Sequence, residues 1–361
     1  MKLKAWAGVL AVLVSACQST PPPGDSPYLL GLHLAETADL ASYQVKLARA
    51  ADLKAGVVRI PADWAALEPD QAGQFDAAYL AELEGRFQRA EELGLKAVLL
   101  FAQSPPWANA GAHPAYPPLP DYYNDYADAL VRLVEAIGSE RIAAVEVWNE
   151  PNSIEFWGEV EPREGTYVLV PLRYAGEYAE LLNTTYDALK SHFPELTVLG
   201  GSLASADLDY LKELFAAGAR MDALSLHPYA RVDEREGPHY GRAQYPDQCN
   251  AEDPLSPPWC FEAGLDQIRD WLNQNGRAEL PLWLTEFGVG SSDAWGDAGS
   301  EAEQRKHLGI ALDLLEAHAP RWRVRAAIWY RLRDEGEDKM GLLREDGSEK
   351  PAATLFRERA P

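Results

Sequence analysis

Residues 76–102 read DAAYLAELEGRFQRAEELGLKAVLLFA, and they hold one complete structural unit. Asp76–Leu93 has helical spacing, opens on an Asp suited to an N-cap and stops at Gly94. Lys96–Ala102 follows as a continuous apolar run, the pattern of a parallel strand covered on both faces. Outward from this unit the alternation recurs in both directions. Strands are predicted at Tyr28–Leu34, Gly56–Ala62, Lys96–Ala102, Ala143–Glu150, Thr197–Ser202, Ala223–Tyr229, Pro281–Gly288 and Arg325–Leu332. Helical segments lie between them at Tyr122–Ile137 (closed by Gly138), Tyr174–His192, Glu262–Asn275 and Glu301–Ala317. Eight strand–helix alternations fit a single α/β domain, a (β/α)8 TIM barrel over residues 28–361. An open doubly wound sheet is the alternative, but it gives no reason to stop at eight. Two connections are long, Pro151 to Arg173 after the fourth strand and Ala230 to Phe261 after the sixth. Both follow strand C-termini, the face on which barrel enzymes place their chemistry.

The strand ends carry the chemistry. The fourth strand runs Val145-Glu146-Val147-Trp148-Asn149-Glu150-Pro151-Asn152, and the seventh runs Leu282-Trp283-Leu284-Thr285-Glu286-Phe287-Gly288. Each apolar strand leads into a glutamate, and strands three positions apart in a small ring can aim side chains into one cleft from both flanks. Glycoside hydrolysis needs two carboxyl groups so placed, one protonated to release the leaving oxygen and one ionised. A lone strand-end glutamate reads better as a salt-bridged residue of the barrel mouth; together Glu150 and Glu286 read as such a pair of carboxyl groups.

The motifs around this pair extend the reading. Trp148-Asn149-Glu150-Pro151-Asn152 resembles the acid/base motif of the clan A glycoside hydrolases, retaining enzymes on a (β/α)8 barrel, and Thr285-Glu286-Phe287-Gly288 resembles their nucleophile motif. Val58-Arg59-Ile60-Pro61, Trp64 and Glu68-Pro69 are similar to the second strand of families 39 and 5, in which the Arg supports the nucleophile. Ser104-Pro105-Pro106-Trp107 resembles the third strand end of family 39-like proteins. Leu226-His227-Pro228-Tyr229 resembles a sixth strand whose Tyr hydrogen-bonds the nucleophile. Ile328-Trp329-Tyr330 is similar to an eighth strand whose Trp floors the sugar subsite, and the likeness implies a cis non-proline peptide between Trp329 and Tyr330. Family 39 is the nearer resemblance and family 5 the second; it spans roughly residues 28–356. On chemistry alone, Arg59 can hold a carboxylate ionised through two hydrogen bonds. Asn149 can donate to a sugar hydroxyl, Tyr229 can donate to Glu286, and Trp329, Trp107 and Trp64 offer flat faces to a pyranose. His227 serves either the site or local packing.

The chain's first residues read differently. Lys2 and Lys4 precede an apolar run from Ala5 to Ala16 that is too short for a bilayer span. Val14-Ser15-Ala16-Cys17 resembles a bacterial lipoprotein processing box, which implies a signal peptide over 1–16, lipidation at Cys17 and a Pro-rich tether over 17–27. A plain signal peptide is the alternative. The expectation is an exported protein whose membrane contact is the lipid anchor alone. Cys249 and Cys260 are then expected to pair as a disulfide, two free thiols being the alternative.

Composition excludes other classes. With 33 Lys and Arg against 56 Asp and Glu, the net charge of −23 argues against nucleic acid as a partner. Metal-dependent hydrolysis lacks an HExxH or paired-His spacing, so neither metal nor organic cofactor is expected. The expected partner is a polysaccharide or oligosaccharide, extracellular or on the cell surface, taken by a monomer. A surface lipoprotein that binds glycans on the same barrel without cleaving them is the rival class, although each catalytic position holds the right residue type.

Overall fold

In a computed structural model the described residues are 28–35, 39–163, 166–171, 175–230, 245–249, 260–292 and 298–360, with side chains of 159–174 excepted. The signal, Cys17 and the tether expected over 1–27 lie outside them, as does most of the long connection after the sixth strand.

The strands are β1 (Leu29–His33), β2 (Val57–Asp63), β3 (Lys96–Ala102), β4 (Ala144–Val147), a pair β5 (Gly158–Arg163) and β6 (Thr166–Pro171), then β7 (Val198–Ala204), β8 (Ala223–His227), β9 (Leu282–Phe287) and β10 (Val324–Trp329). All but β5 and β6 are parallel and close into a barrel in the order β1-β2-β3-β4-β7-β8-β9-β10. The connection after the fourth barrel strand is therefore not a bare loop: β5 and β6 form an antiparallel hairpin within it.

Around the barrel run α1 (Leu40–Asp52), α2 (Trp64–Leu67), α3 (Ala77–Glu92), α4 (Tyr123–Ile137), α5 (Ala175–His192), α6 (Leu208–Ala216), α7 (Phe261–Gln274), α8 (Glu301–Trp322) and α9 (Pro351–Arg359). The start signals act as the sequence implied: Asp76 caps α3 by accepting from the Tyr79 backbone N–H at 2.8 Å, and Ser300 caps α8. Helix α8 continues past the expected Ala317 to Trp322. Its end is held by Arg269 of α7, whose guanidinium donates to the Trp322 carbonyl and whose pKa burial pushes down to about 10. No helix among the described residues is long and apolar enough to cross a membrane.

The period of two along each strand divides the core. Outward residues such as Leu30, Leu32, Val58, Ile60, Leu99, Phe101, Val145 and Val147 pack against the helices in one large buried cluster. Inward residues Val57, Val98, Ala144, Leu199, Ala223, Trp283, Ala326 and Ile328 form a separate plug inside the barrel. Two residues further along, the next inward positions turn polar: Arg59 on β2, Glu146 on β4, Ser225 on β8 and Thr285 on β9, all buried. That polar layer floors the site. One step below it, Gly31 pairs in register with Val57 of the plug, and a Cβ there would stand 2.2 Å from the Val57 carbonyl oxygen.

Candidate active site

Arg59 is fully buried and divides its fork among three partners. Its Nε donates to Glu146 Oε2 at 2.6 Å, Nη1 donates to Glu286 Oε1, and Nη2 donates to Asn149 Oδ1 at 2.9 Å. Sequence reasoning gave both hydrogen bonds to one carboxylate; the guanidinium instead bridges two. Glu146, which that reasoning missed, has no exposed surface and also accepts from Thr285 Oγ1 at 2.7 Å. One signal marked it: a charged residue inside an apolar strand must find a buried partner.

Glu286, on β9, accepts from Tyr229 Oη on its other oxygen at 2.8 Å. Burial alone would push its carboxyl upward. The charges of His227 and Arg59 outweigh that, with help from Tyr229, and hold Glu286 well below the usual carboxylate range.

Glu150 arrives by an unusual backbone path. Trp148 and Glu150 take positive φ angles of 68° and 44°, so the chain turns sharply beyond β4. Trp148 swings into the helical shell, where its indole donates to the Phe156 carbonyl at 3.1 Å. Asn149 and Glu150 are thereby left facing the barrel mouth. The Glu150 backbone N–H donates to Ser202 at 2.9 Å, and Asn152 fastens the same turn to Ala204 through both ends of its amide. His227 Nδ1 lies 2.8 Å from Glu150 Oε1 and 3.6 Å from Glu286 Oε2, while Nε2 is 3.3 Å from Ser202 Oγ. Burial would lower its pKa, but Glu286 and Glu150 together raise it, and the ring lies between the two carboxyl groups.

Glu150, His227 and Glu286 bring one ligand atom each within 4.8 Å of one another. Such a trio could hold a cation, yet Arg59 and Tyr229 already donate to both Glu286 oxygens and His227 binds Glu150. This arrangement suits proton transfer and nucleophilic attack better than metal ligation.

Glu150, Glu286, Arg59, Asn149 and Tyr229 line one cavity of about 680 Å³ at the C-terminal mouth of the barrel, and His227 lies buried directly behind it. The tryptophans are elsewhere. Trp329 is 1% exposed, donates to the Met340 carbonyl at 2.9 Å and packs against Phe287. Tyr330 lines the cavity in its stead, and the cis peptide is Tyr330–Arg331, one residue beyond the expected bond. Parity explains the shift: Ile328 points into the barrel plug, so Trp329 must face the shell and Tyr330 the mouth. Trp64 is buried, with its indole on Glu68 Oε2, and half-buried Trp107 donates to the Glu68 backbone carbonyl; both brace the corner beside the cavity. The aromatic lining comes from Tyr330, Phe156 and Tyr229. His33, also unforeseen, stacks on Tyr330 at 5.0 Å; burial and the neighbouring Arg59 push its pKa down to about 3, so it is neutral. Cys249 and Cys260 are joined as a disulfide.

A parallel barrel with two glutamates at the ends of its fourth and seventh strands, facing one mouth cavity, has the build of the clan A glycoside hydrolases. Over residues 35–324 the sequence matches the family model described as cellulase, glycosyl hydrolase family 5, and the chain belongs to that family. A β-xylosidase of Geobacillus stearothermophilus is 28% identical over 183 residues, 48% of this chain and 32% of that protein, so the match spans about a third of the relative's length. Among solved structures, a family 39 glycoside hydrolase from Bacteroides cellulosilyticus superposes with a TM-score of 0.69 at 20% identity, covering 92% of this chain and 63% of that one. A monomeric β-xylosidase from Caulobacter crescentus gives 0.63 at 18%, covering 92% and 68%. An exo-β-1,4-mannosidase from an Opitutaceae bacterium gives 0.64 at 17%, covering 92% and 59%. At these identities the structural likeness concerns the fold.

Proposed function

We propose that the protein is a retaining glycoside hydrolase acting on an extracellular or cell-surface polysaccharide, with Glu286 as nucleophile and Glu150 as acid/base. The observation that carries this reading is the placement of oxygens of both glutamates within 4.8 Å of one another in one cavity wall. Retaining pairs stand about 5–5.5 Å apart and inverting pairs about 6.5–9.5 Å, the wider gap leaving room for a water. Glu286, kept ionised by Arg59 and His227, attacks the anomeric carbon while Glu150 gives its proton to the departing oxygen. The bond to the leaving group breaks and a glycosyl ester on Glu286 forms. Water then enters, loses a proton to Glu150 and attacks the same carbon, which frees Glu286 and restores Glu150. Arg59 binds both Glu286 and Asn149, so Asn149 keeps its amide N–H2 for a sugar hydroxyl.

The test pairs two variants with two leaving groups. Glu286→Gln is expected to lose on the order of 10⁴-fold or more in kcat on every substrate. Glu150→Ala should retain glycosylation of 2,4-dinitrophenyl glycosides while losing substrates with poor leaving groups; equal losses on both would remove Glu150 from its role. Proton NMR of the first-formed product should show retained anomeric configuration, and inversion would refute the double displacement. Unchanged rates in a chelator agree with an acid–base site, whereas abolished activity would favour a metal on Glu150, His227 and Glu286. For export, mass spectrometry of the mature protein should find a lipid-modified Cys17 at its N-terminus; an unmodified terminus elsewhere would refute the anchor.

A further inference from the structure

Among the described residues the cavity is lined from β1, β2, β3, the β4 turn, Ala204 of β7, Tyr229 beyond β8, Glu286 of β9 and the segment after β10. Two of these lining residues take no part in the chemistry described above: Asp63, the last residue of β2, and Gln103, the residue after β3. They are neighbours, because Asp63 pairs in register with Ala102. One oxygen of Asp63 caps α2 by accepting from the Ala66 N–H at 3.2 Å, and no described side chain donates to this carboxylate. Gln103 is half-buried, stands at φ 70°, a backbone conformation that side chains other than glycine rarely adopt, and its amide makes no hydrogen bond among the described residues. A carboxylate acceptor beside a free amide donor and acceptor matches a pair of sugar hydroxyls.

Charge narrows the ligand. Among the described residues lining the cavity, Arg59 is the one cation, and its donors are committed to Glu146, Glu286 and Asn149. Asp63 and Glu155 add carboxylates to the same wall as Glu150 and Glu286. Among the described residues, a sugar carboxylate entering here would meet like charges and no free guanidinium or ammonium.

We propose that Asp63 and Gln103 are specificity-determining residues that read adjacent hydroxyl groups of the bound sugar and select neutral rings over uronic acids, an inference that rests on the glycosidase reading. Asp63→Asn keeps the α2 cap, since Asn caps equally well. Gln103→Gly removes the amide and suits the positive φ. Both variants should therefore keep the wild-type melting temperature.

The test uses 4-nitrophenyl β-xyloside, β-glucoside, β-mannoside and β-glucuronide, with thermal-shift titrations of free xylose, glucose, mannose and glucuronate on all three proteins. Wild type should prefer its best neutral glycoside over the glucuronide, and each variant should lose about 10–100-fold in kcat/KM on that neutral substrate. The matching neutral sugar should raise the melting temperature of wild type and do so less in both variants. Variants that match wild type in turnover and in thermal shift overturn the inference, as does a glucuronide or glucuronate preferred by wild type. If wild type cleaves no glycoside, the glycosidase reading fails on its own, while the thermal shifts still decide for or against the pair. The absence of any shift with neutral sugars, together with absent turnover, overturns both.

Discussion

Arg59 and the titratable His227 are held among Glu146, Glu286 and Glu150 where little water reaches, and the balance of charge among these groups governs the behaviour of the site. Glu146 is the silent member. Its removal leaves Arg59 with one carboxylate in a dry barrel, so Glu146→Ala is expected to cost about 3–5 kcal/mol in urea unfolding. Glu146→Gln keeps the acceptor for Thr285 and should recover a substantial part of that loss; equal effects of both would deny the ion pair its importance. His227 supplies a pH dependence of definite sign. Because the carboxylates raise its folded pKa above the ordinary 6.5, its proton stabilises the native state fully below that value. The contribution fades as pH rises through the folded pKa. Wild type should therefore lose melting temperature between neutral and moderately alkaline pH more steeply than His227→Asn; parallel curves would contradict the assignment. Glu286 behaves in the opposite sense, its contribution being present above about 4.5 and lost only on acidification toward its lowered pKa.

At the scale of elements, the strand ends are positioned by the turns and helices that continue the chain beyond them. The turn after β4 is pinned by Trp148 and Asn152, and α2 is bound to Asp63 at one end and Glu68 at the other. Beyond β8, Cys249 and Cys260 are joined by the disulfide, and the Tyr245 ring packs at a tilt against His307 of α8, with centroids 4.4 Å apart. Closing a loop with a sequence separation of 11 removes chain entropy from the unfolded state. On that entropic account, replacing both cysteines by serine lowers unfolding free energy by roughly 2–3 kcal/mol. Equilibrium denaturation checks this, and an unchanged midpoint would refute the entropic account.

For the whole molecule, the charge is strongly acidic, while buried Arg59 and Lys350 each pair with a carboxylate. With a net charge of −23 at pH 7 and an isoelectric point of about 4.7, mutual repulsion opposes non-specific association at neutral pH and vanishes in mild acid. Solubility should pass through a minimum near pH 4.7, measurable as turbidity, while Glu286 remains ionised. Activity lost there should return on neutralisation; permanent loss would place unfolding, not association, at that pH.

The sequence alone determined the barrel, because eight apolar runs alternating with capped helices state a repeating local rule. It determined Glu150 and Glu286 as candidates too, since each closes an apolar strand at the end where the chain leaves the barrel. Strand ends were less legible: β4 stops at Val147, because the positive φ of Trp148 breaks the ladder, and Glu150 reaches the mouth from a turn. Only the tertiary structure decided which face each residue takes. Trp329 and Tyr330 differ by one step of a two-residue period, and nothing local fixes that phase; the barrel plug does, by claiming Ile328 for the interior. Glu146 likewise stayed hidden because its partners, Arg59 and Thr285, are 87 and 139 residues away in sequence, and closure of the sheet is what makes them neighbours.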